Sequence, residues 1–370
     1  MSTSTKITVL ALTAAVGFMA GFVEDPASAT EKPVCYQVAL TERPAWVSSA
    51  TYLEDRSELL VVDPYQNRLL TVSPKGEVKP LPDVKLKKGE PFFPTVINSI
   101  EGGYLLELSD GTMARLDEHF DLKEERVPLR EKNNTDFRLG SFYQWKAVDG
   151  SIFAYGSLLN GVGEDLIFKY GFFRAPLSDP TTRPELLKSF RDTSFYLVGN
   201  SYIAGMQDAA YFVVMDERPA IYRAPVEGHT VEKLSAFPTE FESKPSFKTR
   251  MTGPQTAPAH FAELAKFTVA SGLYAQAGNL YLLGRKPEAN GRTGWYLYKI
   301  DPAGKGRILG SVKLPTSAEH LTVVVSKNDW FLLERGPVKQ LQRQDIANMV
   351  VVHSWAISAL SKFPDSCPKE

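Results

Sequence analysis

One pattern recurs along the chain: an apolar run, a short polar turn, and a second apolar run. In its clearest copy, residues 46–53 are rich in Trp, Val, Thr and Tyr, residues 54–57 form the polar turn, and residues 59–62 are continuously apolar. β-Branched and aromatic residues favour strands, and an uninterrupted apolar run is typical of a strand that is buried on both faces. Two further runs, 68–72 and 77–81, complete a predicted unit of four short antiparallel strands.

The strand–turn–strand core of this unit recurs in five later stretches, at residues 95–108, 142–155, 202–214, 268–283 and 321–333. Several of its turns contain Gly beside another residue, as in Asp149-Gly150, and Gly accepts the positive φ that tight hairpins require. A series of such units predicts an all-β fold, a six-bladed β-propeller. No obvious fourth strand follows the last hairpin, so residues 36–40 are predicted to complete the last blade.

The first 29 residues have the pattern of a secretory signal peptide. Lys6 precedes an apolar run, and Ala27-Ser28-Ala29 is a small-residue cleavage site. An uncleaved membrane anchor is the alternative for this segment. The expected organisation is a signal peptide at residues 1–29 and one propeller domain at residues 30–370. The mature protein is expected to be secreted or periplasmic, without membrane association.

The sequence contains two cysteines, Cys35 and Cys367, one near each end of the chain that would remain after cleavage. An even number of cysteines behind an export signal suggests a disulfide, with two free thiols as the alternative. A Cys35–Cys367 bond would stand where the other blades have a covalent turn. The predicted fold class is therefore a six-bladed propeller whose ring is closed by an N-terminal strand and a terminal disulfide.

Charge and motifs exclude several classes of function. The formal net charge is −1, which argues against nucleic acid as a partner. No histidine stands at metal-ligand spacing from another ligand, so no metal site is predicted from motifs. No nucleophile elbow or phosphate-binding loop occurs, so the catalytic residues are unknown and the enzyme question stays open. The protein is expected to be a monomer.

Residues 61–78, VVDPYQNRLLTVSPKGEV, resemble blades of the six-bladed NHL and TolB-like propellers. The shared features are an apolar strand, an Asp-Pro turn, Asn-Arg at the start of the next strand, and a Gly turn before the last. The resemblance implies the fold and assigns no catalytic residues, because propellers serve as hydrolases, lyases, binders and scaffolds.

Function is predicted on one rim of the ring. Links between blades and links from second to third strands emerge there, and long loops on a rigid scaffold commonly carry binding. We expect a small molecule or a protein partner to bind this loop-rich face, over an aromatic floor with a few polar groups. The candidate ligand-binding residues are Trp46, Phe93, Phe142, Tyr143, Asn200, Tyr202, Glu319 and His320.

The alternative function is a metal-assisted hydrolase, similar to the calcium-dependent lactonases and esterases that use the central channel of six-bladed propellers. Calcium takes six to eight oxygen ligands. The candidates on inner strands are Asn98, Asn200 and Glu319, which offer one carboxylate and two amides. Calcium is the cofactor expected under this alternative, and none is expected for the binding role.

Overall fold

The structure is a computed structural model, and it describes part of the chain. The described residues are 37–39, 47–64, 66–73, 75–84, 86, 93–108, 113–126, 138–160, 167–178, 184–190, 202–214, 219–241, 266–288, 293–314, 316, 320–327, 329–335 and 350–356. They all belong to one compact unit, Pro33–Glu370. The predicted signal peptide and its cleavage site lie outside them. Within these ranges no helix has the length and hydropathy needed to cross a membrane.

The first strand among the described residues is β1, Gln37–Ala39, and five sheets of four consecutive strands follow it. Sheet 1 contains β2 (Ser49–Leu53), β3 (Glu58–Asp63), β4 (Arg68–Val72) and β5 (Val78–Pro80). Sheet 2 contains β6 (Pro94–Ile100), β7 (Gly103–Leu108), β8 (Met113–Leu116) and β9 (Leu122–Arg126). Sheet 3 contains β10 (Arg138–Val148), β11 (Ser151–Asn160), β12 (Ile167–Pro176) and β13 (Glu185–Phe190).

Sheets 4 and 5 follow the same plan. Sheet 4 contains β14 (Tyr202–Met206), β15 (Ala209–Val214), β16 (Ala220–Pro225) and β17 (Glu232–Lys233). A short 3-10 helix, Thr239–Phe241, comes next. Sheet 5 contains β18 (Val269–Gln276), β19 (Asn279–Pro287), β20 (Thr293–Asp301) and β21 (Arg307–Lys313).

The last sheet combines both ends of the chain. Sheet 6 contains β22 (His320–Val325), β23 (Asp329–Arg335), β24 (Val350–Ala356) and β1. β1 pairs antiparallel with β24, with Val38 opposite Val352. The structure thus contains five blades, and not the predicted six, that are each built from four consecutive strands. The remaining sheet is composite, because β1 comes from the other end of the chain.

Neighbouring sheets pack through shared clusters of buried apolar side chains. Such clusters join sheet 1 to sheet 2, sheet 2 to sheet 3, and so on around to sheets 6 and 1. The second strand of a sheet contributes heavily because it is covered on both faces; Leu60, Val61 and Val62 of β3 are 0% exposed. At the contact between sheets 1 and 6, the rings of Tyr52 and Phe331 stack with centroids 4.9 Å apart. The chain is therefore a β-propeller, and its core lies between sheets.

The hairpin turns that the sequence predicts are present. Asp149 and Gly150 have φ values of 40° and 69°, and Ala277 and Gly278 have φ values of 47° and 74°. Two successive residues with positive φ give the turn whose twist matches that of antiparallel strands. The predicted alternation of apolar runs and Gly-containing turns is thereby confirmed at these two positions.

The predicted fold class is corrected in its number of blades, five and not six, and in its closure. A terminal disulfide formed part of that prediction, but the structure shows no disulfide among the residues that it describes. Cys35 and Cys367 both lie outside those residues. The closing interactions that the structure does contain are the main-chain pairing of β1 with β24 and the packing of sheet 6 on sheet 1. Strand pairing satisfies main-chain polar groups along β24, which a covalent link between side chains would leave unpaired.

Candidate functional site

A cavity of about 450 Å³ lies where the first strands of all six sheets meet. Its described lining comes from β2, β6, β10, β14, β18 and β22, together with Ser48 just before β2. Each of these strands is the first or last in its sheet, so one of its two edges has no neighbouring strand in that sheet. The cavity is therefore the central channel of the propeller, and main-chain edges as well as side chains form its wall.

Lys146 is the one formally charged residue in the described lining of this channel. It follows Trp145 in β10, and its main-chain partner on β11 is Phe153, which is buried. Burial lowers the pKa of the Lys146 amine, because removing an ammonium group from water disfavours its charged form. No carboxylate contributes to this shift. The described channel wall thus contains the Lys146 amine but no carboxylate to pair with it.

Hydroxyl groups on one side of the channel tie sheet 1 to sheet 2. Thr51 Oγ1 lies 2.9 Å from Ser99 Oγ. The main-chain amide of Ile97 donates to Ser49 Oγ at 3.2 Å. These contacts hold the two inner strands together, so the hydroxyls serve mainly to join the sheets.

Asn98, between these contacts, differs from its neighbours. Its side chain is 3% exposed, and its amide nitrogen has no hydrogen-bond partner among the described residues. A buried donor without an acceptor costs about 1–3 kcal/mol.

Two tyrosines and an arginine lie together on the opposite side of the channel. Burial raises the pKa of Tyr202 to about 12, and the positive charge of nearby Arg285 acts in the opposite direction. Burial also raises the pKa of Tyr274, and Tyr202 adds to that shift. Both phenols stay protonated at neutral pH and can donate hydrogen bonds.

Backbone geometry explains how Tyr274 fits on β18. A Cβ atom at Gly272 would lie 2.4 Å from the Tyr274 hydroxyl oxygen, so the ring lies over the glycine two residues before it. The same ring packs edge-on against Trp330 of sheet 6, with centroids 5.6 Å apart. Gly272 is therefore required for the position of Tyr274 in the channel wall.

The structure brings some predicted site residues to the channel and leaves others untested. Tyr202 lines the cavity, as does Asn98 from the proposed calcium set. Phe93 precedes β6, is 37% exposed, and is absent from the described lining. For three residues the structure gives only a place on a strand: Phe142 and Tyr143 on β10 and His320 at the start of β22. Three lie outside the described residues: Trp46, Asn200 and Glu319.

Sequence reasoning missed Lys146, Tyr274 and Arg285. Each belongs to no motif, and a lysine in a strand is most simply read as exposed. The available signal was the run Trp145-Lys146-Ala147-Val148, in which one charge interrupts an otherwise apolar inner strand. Its significance depends on how six separate strands meet, which no local pattern encodes.

The described donors do not suit a calcium ion. Within the part of the chain that the structure describes, no three His, Cys, Asp or Glu side chains are grouped to share a metal. The described channel lining contains no carboxylate, and Lys146 adds a positive charge there. A hard divalent cation prefers several charged oxygen ligands. Of the three predicted ligands only Asn98 is described, and its unpartnered atom is a nitrogen donor.

Comparisons with known proteins agree with the fold. The solved structure of a DUF4221 family member from Bacteroides vulgatus matches with a TM-score of 0.53 and 8% sequence identity. The match covers 88% of this chain and 97% of that chain. The solved structure of a gluconolactonase from Xanthomonas campestris matches with a TM-score of 0.50 and 12% sequence identity. That match covers 87% of this chain and 90% of the other chain. The sequence matches no protein-family model and no curated protein. Similarity at these identities concerns the fold alone.

Proposed function

We propose that this protein binds a small polar molecule in the central channel of the propeller. The observation that carries the proposal is the cavity itself, about 450 Å³ in volume and lined by the first strand of every sheet. Pockets for small molecules commonly fall in the range of roughly 300–1,000 Å³ and combine apolar walls with a few polar groups. Here the described lining includes the apolar Val323 and Leu273 as well as the polar Lys146, Asn98 and Tyr202.

The position of Tyr202 and Arg285 supports entry from the loop-rich rim. Tyr202 begins β14, and Arg285 near the end of β19 is opposite Val269, the first residue of β18. Both residues are therefore on the side where each inner strand begins. The longest connections, residues 234–268 and 336–349, reach the same side, whereas the opposite rim has tight turns such as Ala277-Gly278.

No observation in the described residues favours the alternative of a calcium-dependent hydrolase. Its support is limited to the shared fold, and a fold does not determine a reaction. The alternative makes a separate prediction, which is turnover of a lactone that depends on added calcium and stops with a chelator. Under the proposed binding function, calcium and chelator leave ligand affinity unchanged.

Filling the channel tests the proposed function. Ser271 lies on the innermost strand of sheet 5, and Ser311 lies on the outermost strand of the same sheet, where it is exposed. We would record ligand-detected NMR spectra with a fixed set of monosaccharides, monocarboxylates, neutral amides and inorganic phosphate. Ser271→Trp should abolish the binding that the native protein shows, and Ser311→Trp should preserve it. Binding that survives Ser271→Trp would place the site elsewhere and contradict the proposal.

A further inference from the structure

We propose that the ligand of the channel is an organic anion, and that Lys146 is the counter-ion of its acidic group. This inference rests on the proposed function and adds the chemical class of the ligand. The evidence is the charge of the described lining, where one lysine is present and aspartate and glutamate are absent.

Lys146 is partly buried, so its ammonium group is less well hydrated than one on the surface and gains from a nearby opposite charge. Transferring an ammonium group from water into a protein is unfavourable unless an opposite charge or several acceptors surround it. Lys146 has no ion pair with a described carboxylate, and burial is the cause of its altered proton affinity. An anionic ligand would supply the missing partner, whereas a cationic ligand would add repulsion.

A second cation, Arg285, also favours a negatively charged ligand. Arg285 is partly buried beside Tyr202, at the side of the channel where the inner strands begin. Among the described residues, Lys146 in the lining and Arg285 beside Tyr202 are positive and no lining residue is acidic, and positive charge attracts anions toward a cleft. The phenol of Tyr202, which is in the channel lining, adds a hydrogen-bond donor for an anion.

Binding of an anion should be coupled to proton uptake at Lys146. The anion favours the ammonium form and therefore raises the pKa of the amine above its lowered value in the free protein. At any pH between the two values, binding takes up a proton, so affinity falls as the pH rises through that interval. The other titratable groups in the described lining are Tyr202 and Tyr274, whose raised pKa values keep them neutral there. Arg285 stays positive throughout.

Benzoate and benzamide test the inference because they match in size and differ in charge, and acetate and acetamide form a smaller pair. We would measure their affinities by NMR titration at concentrations on the order of 10 mM, which detects millimolar dissociation constants. The native protein should prefer the anion of at least one pair by about tenfold, the contribution of a charged hydrogen bond. Lys146→Met should abolish the preference, Lys146→Arg should keep part of it, and Lys233→Met, at an exposed position of β17, should leave it unchanged.

Proton uptake provides an independent measurement. Calorimetric titration of the anion in two buffers with different ionisation enthalpies should give different apparent heats for the native protein. The heats should agree for Lys146→Arg, whose side chain does not lose its proton. Equal heats in the native protein would contradict the coupling.

The outcomes separate the inference from the proposed function. If the amide of each pair binds as tightly as the anion and Ser271→Trp abolishes both, the channel is a binding site for neutral ligands and the inference is wrong. A charge preference that persists in Lys146→Met would also overturn it. If no member of either pair binds, both proposals fail for ligands of this size.

Discussion

Individual side chains in the channel wall have energetic consequences that local sequence does not reveal. Lys146 and Trp145 are adjacent in β10 and both border the cavity, but Trp145 is 4% exposed between sheets 2 and 3, whereas Lys146 is only partly buried. The indole nitrogen of Trp145 donates to Glu107 Oε2 at 2.6 Å, which links β10 to β7. In β10 one residue therefore joins sheets and the next remains available to a ligand.

Replacing Lys146 should change how stability depends on pH. Its pKa is lowered in the folded protein, so the unfolded chain binds more protons over the interval between the folded value and the unfolded value near 10.5. The lysine thus destabilises the folded state below that interval, and stability rises with pH through it. Lys146→Met should unfold at higher denaturant concentration than the native protein at neutral pH. Lys233→Met should behave like the native protein at every pH, and a native-like Lys146→Met would show that the amine is fully hydrated.

Two tryptophans allow the charge of a hydrogen-bond acceptor to be tested. Trp145 donates to a carboxylate, whereas Trp330 donates to the amide oxygen of Gln276 at 3.1 Å. Trp145→Phe should cost about 1.5–3 kcal/mol and Trp330→Phe about 0.5–1.5 kcal/mol, because hydrogen bonds to charged groups contribute more. Urea unfolding of both variants measures the difference. Equal costs would mean that packing of the indole, and not its hydrogen bond, dominates at both sites.

At the scale of strands and turns, much of the fold could be predicted from the sequence. The apolar run 59–62 is the buried strand β3, and the Gly turns at 149–150 and 277–278 close hairpins. These features are local, since strand burial follows from a continuous apolar run and tight turns follow from residues that accept positive φ. The site was less predictable: Lys146 acquires its role because strands from all six sheets converge, and sequence gives no distance between them.

Gly103, the first residue of β7, and Gly150, in the turn before β11, both have positive φ, but their surroundings differ. A Cβ atom at Gly103 would lie 2.1 Å from the carbonyl oxygen of Leu116 on the neighbouring strand. A Cβ atom at Gly150 would have no atom within 4 Å other than those of its chain neighbours. Gly150→Ala should therefore cost about 1–2 kcal/mol from the backbone conformation alone. Gly103→Ala should cost clearly more, because β7 and β8 must separate. Thermal unfolding of the two variants tests this order, and a reversed order would contradict the packing of sheet 2.

On the scale of the whole molecule, ring closure depends on contacts between residues far apart in sequence. The amide of Lys327 donates to Glu54 Oε1 at 2.7 Å, and Phe331 packs on Tyr52. The pairing of β1 with β24 adds a fourth strand to sheet 6. Closure by strand pairing could be predicted from the sequence, because no fourth strand follows the last hairpin. The disulfide was predicted from the number of cysteines.

The contact between sheets 6 and 1 should be essential for stability. Phe331 is 3% exposed in this contact, and Ile308 is 40% exposed on the outer strand of sheet 5. Phe331→Ala should cost about 3–5 kcal/mol through loss of buried surface and creation of a cavity. Ile308→Ala should change stability by less than about 0.5 kcal/mol. A similar, small cost for both would show that sheets 6 and 1 do not depend on this contact.

The most direct test of ligand binding in the channel is a crystal structure of the protein soaked with 4-iodobenzoate, in which anomalous scattering locates the iodine. We expect an iodine peak within the channel, with the carboxylate beside the Lys146 amine, and no such peak in crystals of Lys146→Met or Ser271→Trp. An iodine peak found only on the outer strands, or a channel peak whose carboxylate points away from Lys146, would contradict anion binding in the channel.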